Sequence, residues 1–230
     1  MAVITAAFFI AVKRAVAREL MDDQIDSLDE LCANLREIEK INRLFGSTAD
    51  LTRIVGAIAA RNVLDVASGL GDIALSLAQA QPDLRLTCLD RSAQMLALAR
   101  ERTLGHPQLQ FVCADAMALP FADGAFDVAM CNLALHHFEP PQAVRMLAEL
   151  RRVARGLAVV TDLRRSALGY IGARVIIGSF SRNRLTRHDG PLSVRRAYTP
   201  DEARALAAAA GWYAPRVRTR PFFRMILQDG

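Results

Sequence analysis

Long apolar runs are missing from this sequence. The N-terminal stretch Ala2–Val12 is apolar for 11 residues, well short of the ~20 that a membrane-spanning helix needs. Its neighbouring charges, Lys13 and Arg14, follow the stretch, whereas a secretory leader carries them in front. An amphipathic or packed N-terminal helix and a soluble, cytoplasmic protein are therefore expected. Cysteine is scarce, and Cys32, Cys88, Cys113 and Cys131 form no CxxC pair and no ligand-like spacing. Three of them lie in apolar runs, where a free thiol packs as a small hydrophobe, and this fits a reducing compartment. The four histidines (106, 136, 137 and 188) make no HExxH motif and no His/Cys cluster, so no metal site is expected. Repeats, low-complexity tracts and linkers are also absent, which leaves one domain over residues 1–230.

What remains is an ordinary globular balance of 52% apolar and 23% charged residues, which excludes a disordered or collagen-like chain. The formal net charge of +5 suggests an acidic partner, but the charge is unevenly spread. Residues 1–140 hold 12 Lys and Arg against 18 Asp and Glu, while residues 141–230 hold 17 Arg against 6 acids. The basicity belongs to the C-terminal part alone.

Residues 23–60 have helical period: Leu28, Leu31, Leu35, Ile38, Ile41 and Leu44 recur every three or four positions. Gly46 ends that helix, and Ser47 or Thr48 is placed to cap the next. From residue 62 short apolar runs alternate with helical segments. The expected strands are 62–67, 84–90, 109–114, 125–131 and 157–162, with helices 71–80, 92–103 and 141–153 between them. Such alternation predicts a doubly wound parallel sheet. A mostly irregular or helical segment spans 164–198. Thr199-Pro-Asp-Glu202 opens a helix running to Gly211, and two strands linked through Pro221 end the chain.

Chemistry first shows after the first strand, in Asp65-Val-Ala-Ser-Gly-Leu-Gly-Asp-Ile-Ala74. Glycines at a strand-to-helix turn let the backbone approach a ligand closely. Gly69, Gly71 and Ala74 fit a dinucleotide pattern, with Asp90 placed as a ribose acid. S-adenosylmethionine, which has a ribose but no pyrophosphate, fits the same device. Asp65 separates the two, because a carboxylate ahead of the glycines repels a pyrophosphate and suits an ammonium and a sulfonium. Asp90 ends the second strand and Asp115-Ala116 the third, so three acids converge where open α/β sheets bind ligands.

Four segments carry a resemblance. They are Val63–Asp72, Leu89–Arg100, Ala114–Val128 and Asn132-Leu-Ala-Leu-His-His-Phe138. Together they resemble the class I S-adenosylmethionine-dependent methyltransferases, especially the small-molecule enzymes related to the ubiquinone/menaquinone-biosynthesis type, over residues 62–162. The resemblance implies a Rossmann-like, doubly wound α/β fold, with a mostly parallel seven-stranded sheet and an antiparallel C-terminal edge strand. It divides the chain into an N-terminal helical cap (1–60), a cofactor-binding core (61–162), a substrate cover (163–198) and a terminal helix with its strand pair (199–230). It implies S-adenosyl-L-methionine as cofactor. Asp65, Ala67, Gly69 and Gly71 would flank the methionine part and Asp90, with Arg91 beside it, the ribose. Asp115 and Ala116 would meet adenine, and Asn132 with Leu133 would form the floor. Ala67 departs from the family, which usually has glycine there.

Methyl transfer is an in-line displacement, so alignment supplies much of the rate. What remains is deprotonation of an acceptor hydroxyl, for which a histidine is the natural base. His136, His137 and His188 are the candidates, the last beside Asp189. Asn132-Leu-Ala-Leu is not the Asn-Pro-Pro-aromatic run used on base amines, and Cys131 lacks the preceding proline of pyrimidine methylation. Both points argue against nucleic acid. An RNA methyltransferase and a non-catalytic cofactor-binding subunit stay as alternatives. Arginines 164, 165, 174, 182, 184, 187, 195 and 196 crowd the cover, with Ile171, Val175, Ile176, Ile177 and Phe180 between them. The expected acceptor is therefore a small, largely apolar or aromatic hydroxyl compound of secondary metabolism, O-methylated, anionic or carrier-linked. Arg43 is a candidate for the cofactor carboxylate, and a homodimer through the N-terminal helices is a further expectation.

Overall fold

The computed structural model describes residues 13–22 and 28–229, and the expected N-terminal helix over 2–12 lies outside them. The strands are β1 (Asn62–Val66), β2 (Arg85–Asp90), β3 (Leu109–Cys113), β4 (Phe126–Asn132), β5 (Ala154–Leu163), β6 (Arg216–Arg220) and β7 (Arg224–Gln228). They form one sheet in the order β3-β2-β1-β4-β5-β7-β6. The first five are parallel. β7 runs antiparallel to both β5 and β6. At the C-terminal edge the reversed strand is thus the inner member of the pair, with β6 outermost. The chain makes this return in three residues, Pro221 to Phe223, with Phe222 and Phe223 both at φ 57°, and Phe222 stacks on Phe45.

The helices are α1 (Leu28–Leu44), α2 (Ser47–Ala57), α3 (Asp72–Ala80), α4 (Ala93–Arg102), α5 (Pro140–Val153), α6 (Ala167–Phe180), α7 (Arg184–Arg196) and α8 (Pro200–Ala209). Because strand side chains alternate faces, the sheet feeds two cores. On one face Leu64, Val66 and Val160 pack with Met146, Leu147 and Leu150 of α5 and with Ala203 and Trp212. On the other, Val63, Leu86 and Met130 pack with Leu51 and Val55 of α2 and with Ile73 and Leu77 of α3.

Local chemistry sets most boundaries where the sequence places them. Ser92 caps α4 by accepting from the Met95 amide, and Thr199 and Glu202 form a reciprocal capping box on α8. Three details differ. Gly46 at φ 85° caps α2, so Ser47 is already inside the helix and its buried hydroxyl has no partner. β5 starts at Ala154, straight out of α5, and takes in Gly156. Segment 164–198 is almost wholly helical, as α6 and α7, with Pro191 inside α7.

Residues 13–22 form a strap across the cover. Ala15 N–H donates to the Arg195 carbonyl at 3.0 Å. Arg14 donates to the Phe138 and Arg196 carbonyls and to Glu139, and its guanidinium lies over the Tyr198 ring. Leu20 and Met21 amides donate to Asp189 in α7.

Gly156 is needed for space: a Cβ there would lie 2.6 Å from the Asp127 carbonyl oxygen. Gly156→Ala should force β4 and β5 apart and cost about 1–3 kcal/mol. Thermal melting should show a drop of several degrees, and an unchanged Tm would refute the crowding.

Candidate functional site

The turn from β1 into α3 is wound through left-handed backbone. Ala67, Gly69 and Gly71 have φ of 58°, 54° and 72°. Glycine takes this conformation freely, whereas alanine at position 67 carries a strain of roughly 1 kcal/mol. Asp90, at the end of β2, fastens the turn. One carboxylate oxygen accepts from Gly69 N–H and the other from Ser92 N–H, both at 2.9 Å.

This turn lines a cavity. Asn132 and Leu133 at the end of β4 also line it, as do Leu35, Ile38, Glu39 and Asn42 from α1 and Arg102 from α4. Asn132 Oδ1 accepts from Thr161 Oγ1 at 2.6 Å, and the Leu133 amide donates to the Thr161 carbonyl, so β5 fixes this part of the lining.

The polar lining is incompletely satisfied. Asp65 Oδ2, Ser68 Oγ and Asp72 Oδ2 are buried without a hydrogen-bond partner, and so is Arg102 Nη1. Arg102 Nη2 donates to Glu39 at 2.9 Å. Native interiors rarely leave such groups unpaired. Burial, then the charges of Asp72 and Asp90, push the Asp65 pKa well above the usual carboxylate range. Burial and the Glu39 charge raise Asp72. The cavity thus offers two carboxylates that lack a cation and a guanidinium nitrogen that lacks an acceptor. That set suits a zwitterionic, amino-acid-like head group.

Asp65, Ala67, Gly69 and Asn132 therefore meet at one cavity, and Asp90 stands behind it as the loop's anchor. Gly71 N-caps α3. Arg91 and Asp115 are exposed and Ala116 is buried, and none of the three lines the cavity. Asp115 Oδ1 accepts from the Met117 amide at 2.8 Å, the usual turn-capping bond of an aspartate. Arg43 is exposed and does not line the cavity, whereas Arg102 does. Of the cysteines, Cys88 and Cys131 are buried, and burial pushes both thiols up. Cys113 is exposed.

No histidine lines the cavity. His136 is buried behind it. Its Nδ1 lies 2.7 Å from Asp162 Oδ1, and its amide donates to Asp162 Oδ2 at 2.8 Å. Burial acts to lower its pKa, but the charge and hydrogen bond of Asp162, with Glu19, outweigh burial and raise it. The His137 ring lies beside it, tilted by 36° with centroids 4.3 Å apart, and is partly exposed. The exposed His188 has Nδ1 2.7 Å from Asp189, a buried carboxylate held by the strap. The cover's arginines are partly committed: Arg165 bonds Glu202 and the Ala197 carbonyl, and Arg196 bonds the His136 and His137 carbonyls.

Sequence reasoning missed Glu19, Glu39, Asp72, Arg102 and Asp162. Asp162 carried the same signal as Asp65 and Asp90, an acid ending a strand. Asp72 directly follows Gly71. Glu19, Glu39 and Arg102 come from distant elements and carried no signal.

A model of the methyltransferase domain matches residues 63–156. A demethylmenaquinone methyltransferase from Thermus thermophilus is 31% identical over 195 residues, 75% of this chain and 86% of that protein. A ubiquinone/menaquinone biosynthesis C-methyltransferase UbiE from Dinoroseobacter shibae is 39% identical over 101 residues, 42% of this chain and 39% of that protein. Among solved structures, human N-acetylserotonin methyltransferase in complex with SAM superposes with a TM-score of 0.64 at 14% identity, over 92% of this chain and 62% of that one.

Asp65 is ionised only at a cost. Its folded pKa is raised, so stability is lost as pH rises from the ordinary carboxylate value through the folded one. Asp65→Asn should remove that loss and stabilise the ligand-free protein by roughly 1–3 kcal/mol. Chemical denaturation near neutral pH reads this, and a destabilised variant would contradict it.

Proposed function

The chain belongs to the class I S-adenosylmethionine-dependent methyltransferases, and from that premise we propose that its cavity holds the methionine part of the cofactor and that the enzyme methylates a small hydroxylated aromatic acceptor. The unpartnered atoms carry this reading. Asp65 and Asp72 would take the ammonium, Arg102 Nη1 the carboxylate, and the Ala67–Gly71 backbone would lie against the cofactor. The bound cofactor supplies an electrophilic methyl group. Asp90 would serve the ribose while keeping its bond to Gly69, and Asp115 with Ala116 would serve the adenine.

The protein's part is to align the acceptor and manage its proton. His188 is best arranged as base. Its ring is exposed, and Asp189 behind it is buried and fixed by two backbone amides, the orienter-and-base arrangement of hydrolase triads. His136 has one nitrogen on Asp162 and the other facing Glu19 at 3.6 Å, so it serves as a positioning residue. Behind Asn42 lies buried Arg224, whose Nη2 donates to Asn42 Oδ1 at 2.8 Å and whose Nε has no partner. A cation there favours an acceptor hydroxyl in its ionised form. The apolar face of α6, with Ile171, Val175, Ile176 and Phe180 exposed, suits an apolar acceptor.

We favour transfer to oxygen. Transfer to a ring carbon is the second reading, supported by the C-methyltransferase relative. Both begin from the same phenolate, and NMR of the product separates an O-methyl from a C-methyl signal.

Asp65→Asn should weaken S-adenosylhomocysteine binding by about 10- to 100-fold, the value of a hydrogen bond to a charged group. In the unaltered protein the affinity should fall as pH is lowered from neutral towards the ordinary carboxylate value, because protonating the raised Asp65 removes the anion facing the ammonium. Calorimetry across that range reads both, and a pH-independent affinity would count against Asp65. His188→Ala should lower kcat by roughly 100-fold or more with cofactor affinity unchanged. An unaltered rate would remove His188 from the mechanism.

A further inference from the structure

A second cluster lies apart from the cofactor cavity. Glu19 from the strap, His136 and His137 bring one donor atom each to within 4.8 Å of one another. His136 Nε2 is 3.6 Å from Glu19 Oε1, and His137 Nε2 is 3.8 Å from Glu19 Oε2. We propose that Glu19, His136 and His137 form a binding site for a single zinc-type divalent cation, which clasps the strap 13–22 to the turn after β4.

The donor chemistry is the first support. Two imidazoles and one carboxylate with a position left open suit Zn²⁺ or a neighbouring first-row cation, whereas Mg²⁺ and Ca²⁺ prefer oxygen throughout. Tetrahedral bonds of about 2.0–2.2 Å would place neighbouring ligand atoms about 3.3–3.6 Å apart. The present separations need only modest closure.

The supporting shell is the second. A metal-bound histidine generally gives its other ring nitrogen to a carboxylate, which fixes the tautomer and aims the ligand nitrogen. Asp162 holds His136 Nδ1 in this way at 2.7 Å and so directs Nε2 at Glu19. Glu19 is oriented in turn, accepting from Ser193 Oγ at 2.9 Å, with Arg196 Nε at 3.9 Å.

Burial and access are the third. Glu19 and Asp162 are each 1% exposed; Arg196 stands beside Glu19 and the charge of Arg224 acts on Asp162, so a cation here would be held by its donor atoms and not by an excess of negative charge. His137 is partly exposed, which gives the cation a way in and a side for a water ligand. Glu19 lies 117 positions before His136, so no sequence spacing announces the site.

The test uses untagged, chelator-treated protein titrated with Zn²⁺ alone, and separately with Co²⁺ for its visible spectrum. The expected result is one cation per chain, a cobalt spectrum of nitrogen and oxygen ligation, and a Tm that rises with Zn²⁺. His137→Ala and Glu19→Gln should each weaken Zn²⁺ binding at least tenfold, while His106→Ala leaves it unchanged. Asp162→Asn should weaken it by about 10- to 100-fold. The proposal is overturned if no cation binds, or if binding survives His137→Ala with the fold intact by circular dichroism. That variant is decisive should the buried substitutions unfold the chain, because its ring is the partly exposed member of the cluster. Cofactor affinity, measured alongside with S-adenosylhomocysteine, should not respond to Zn²⁺, so the outcome is independent of the reading of the cavity.

Discussion

The unpaired carboxylate of Asp65 is the constraint around which the site is arranged. It ends a strand buried on both faces, with Asp72 close by and Asp90 raising its pKa further. A folded chain tolerates such an anion only at a cost in stability. The cost has a direct chemical counterpart, since a cationic ligand is drawn to carboxylates already stripped of water. The neighbouring features follow from this. The turn is wound left-handed so that backbone lies beside the carboxylate, Asp90 anchors the turn, and α1 with α4 encloses the space and brings Arg102 opposite.

The second half of the architecture holds the cover. α6 and α7 would splay from the sheet if nothing tied them down, because α6 buries almost none of its side chains. α7 is fastened on several sides. Asn34 of α1 donates to Thr186, the strap bonds Asp189 and the Arg195 carbonyl, and Arg196 bonds the carbonyls of the His136–His137 turn. The strap is therefore a tie between α7 and the turn that follows β4, and the Glu19 cluster is where that tie is most deeply buried.

Much of this was legible in the sequence, and the reason is locality. The parallel strands were visible because each is a short apolar run, and the cap of α8 because Thr199 sits directly before its helix with Pro200 and Glu202 after it. The cavity's turn was visible because an acid and two glycines share one loop. What failed needed tertiary information. Arg102 enters the cavity from a helix whose own pattern is unremarkable, while Arg43, better placed in sequence, points to solvent. The histidine pair drew notice as adjacent letters, yet its partners Glu19 and Asp162 lie 117 positions before and 26 after His136. Ala67 shows a third case: its left-handed φ favours glycine, and only the family resemblance made alanine there conspicuous.

The C-terminal excess of arginine can now be divided by what each side chain does. Arg165 and Arg196 are structural, bonding carbonyls and Glu202 inside the fold, and Arg220 pairs with Asp50 across to α2. Arg224 is buried behind the cavity wall, and desolvation lowers its pKa to about 10. Arg174, Arg182, Arg184, Arg187 and Arg195 are exposed on the cover, where Arg184 already meets Glu30 at 3.2 Å. A net charge therefore says little about an acidic partner. Exposed arginines beside water lose most of their pull to screening, whereas a buried guanidinium keeps it. Of the 17 Arg in that part of the chain, Arg196 and Arg224 are therefore the two whose charge is buried and least screened.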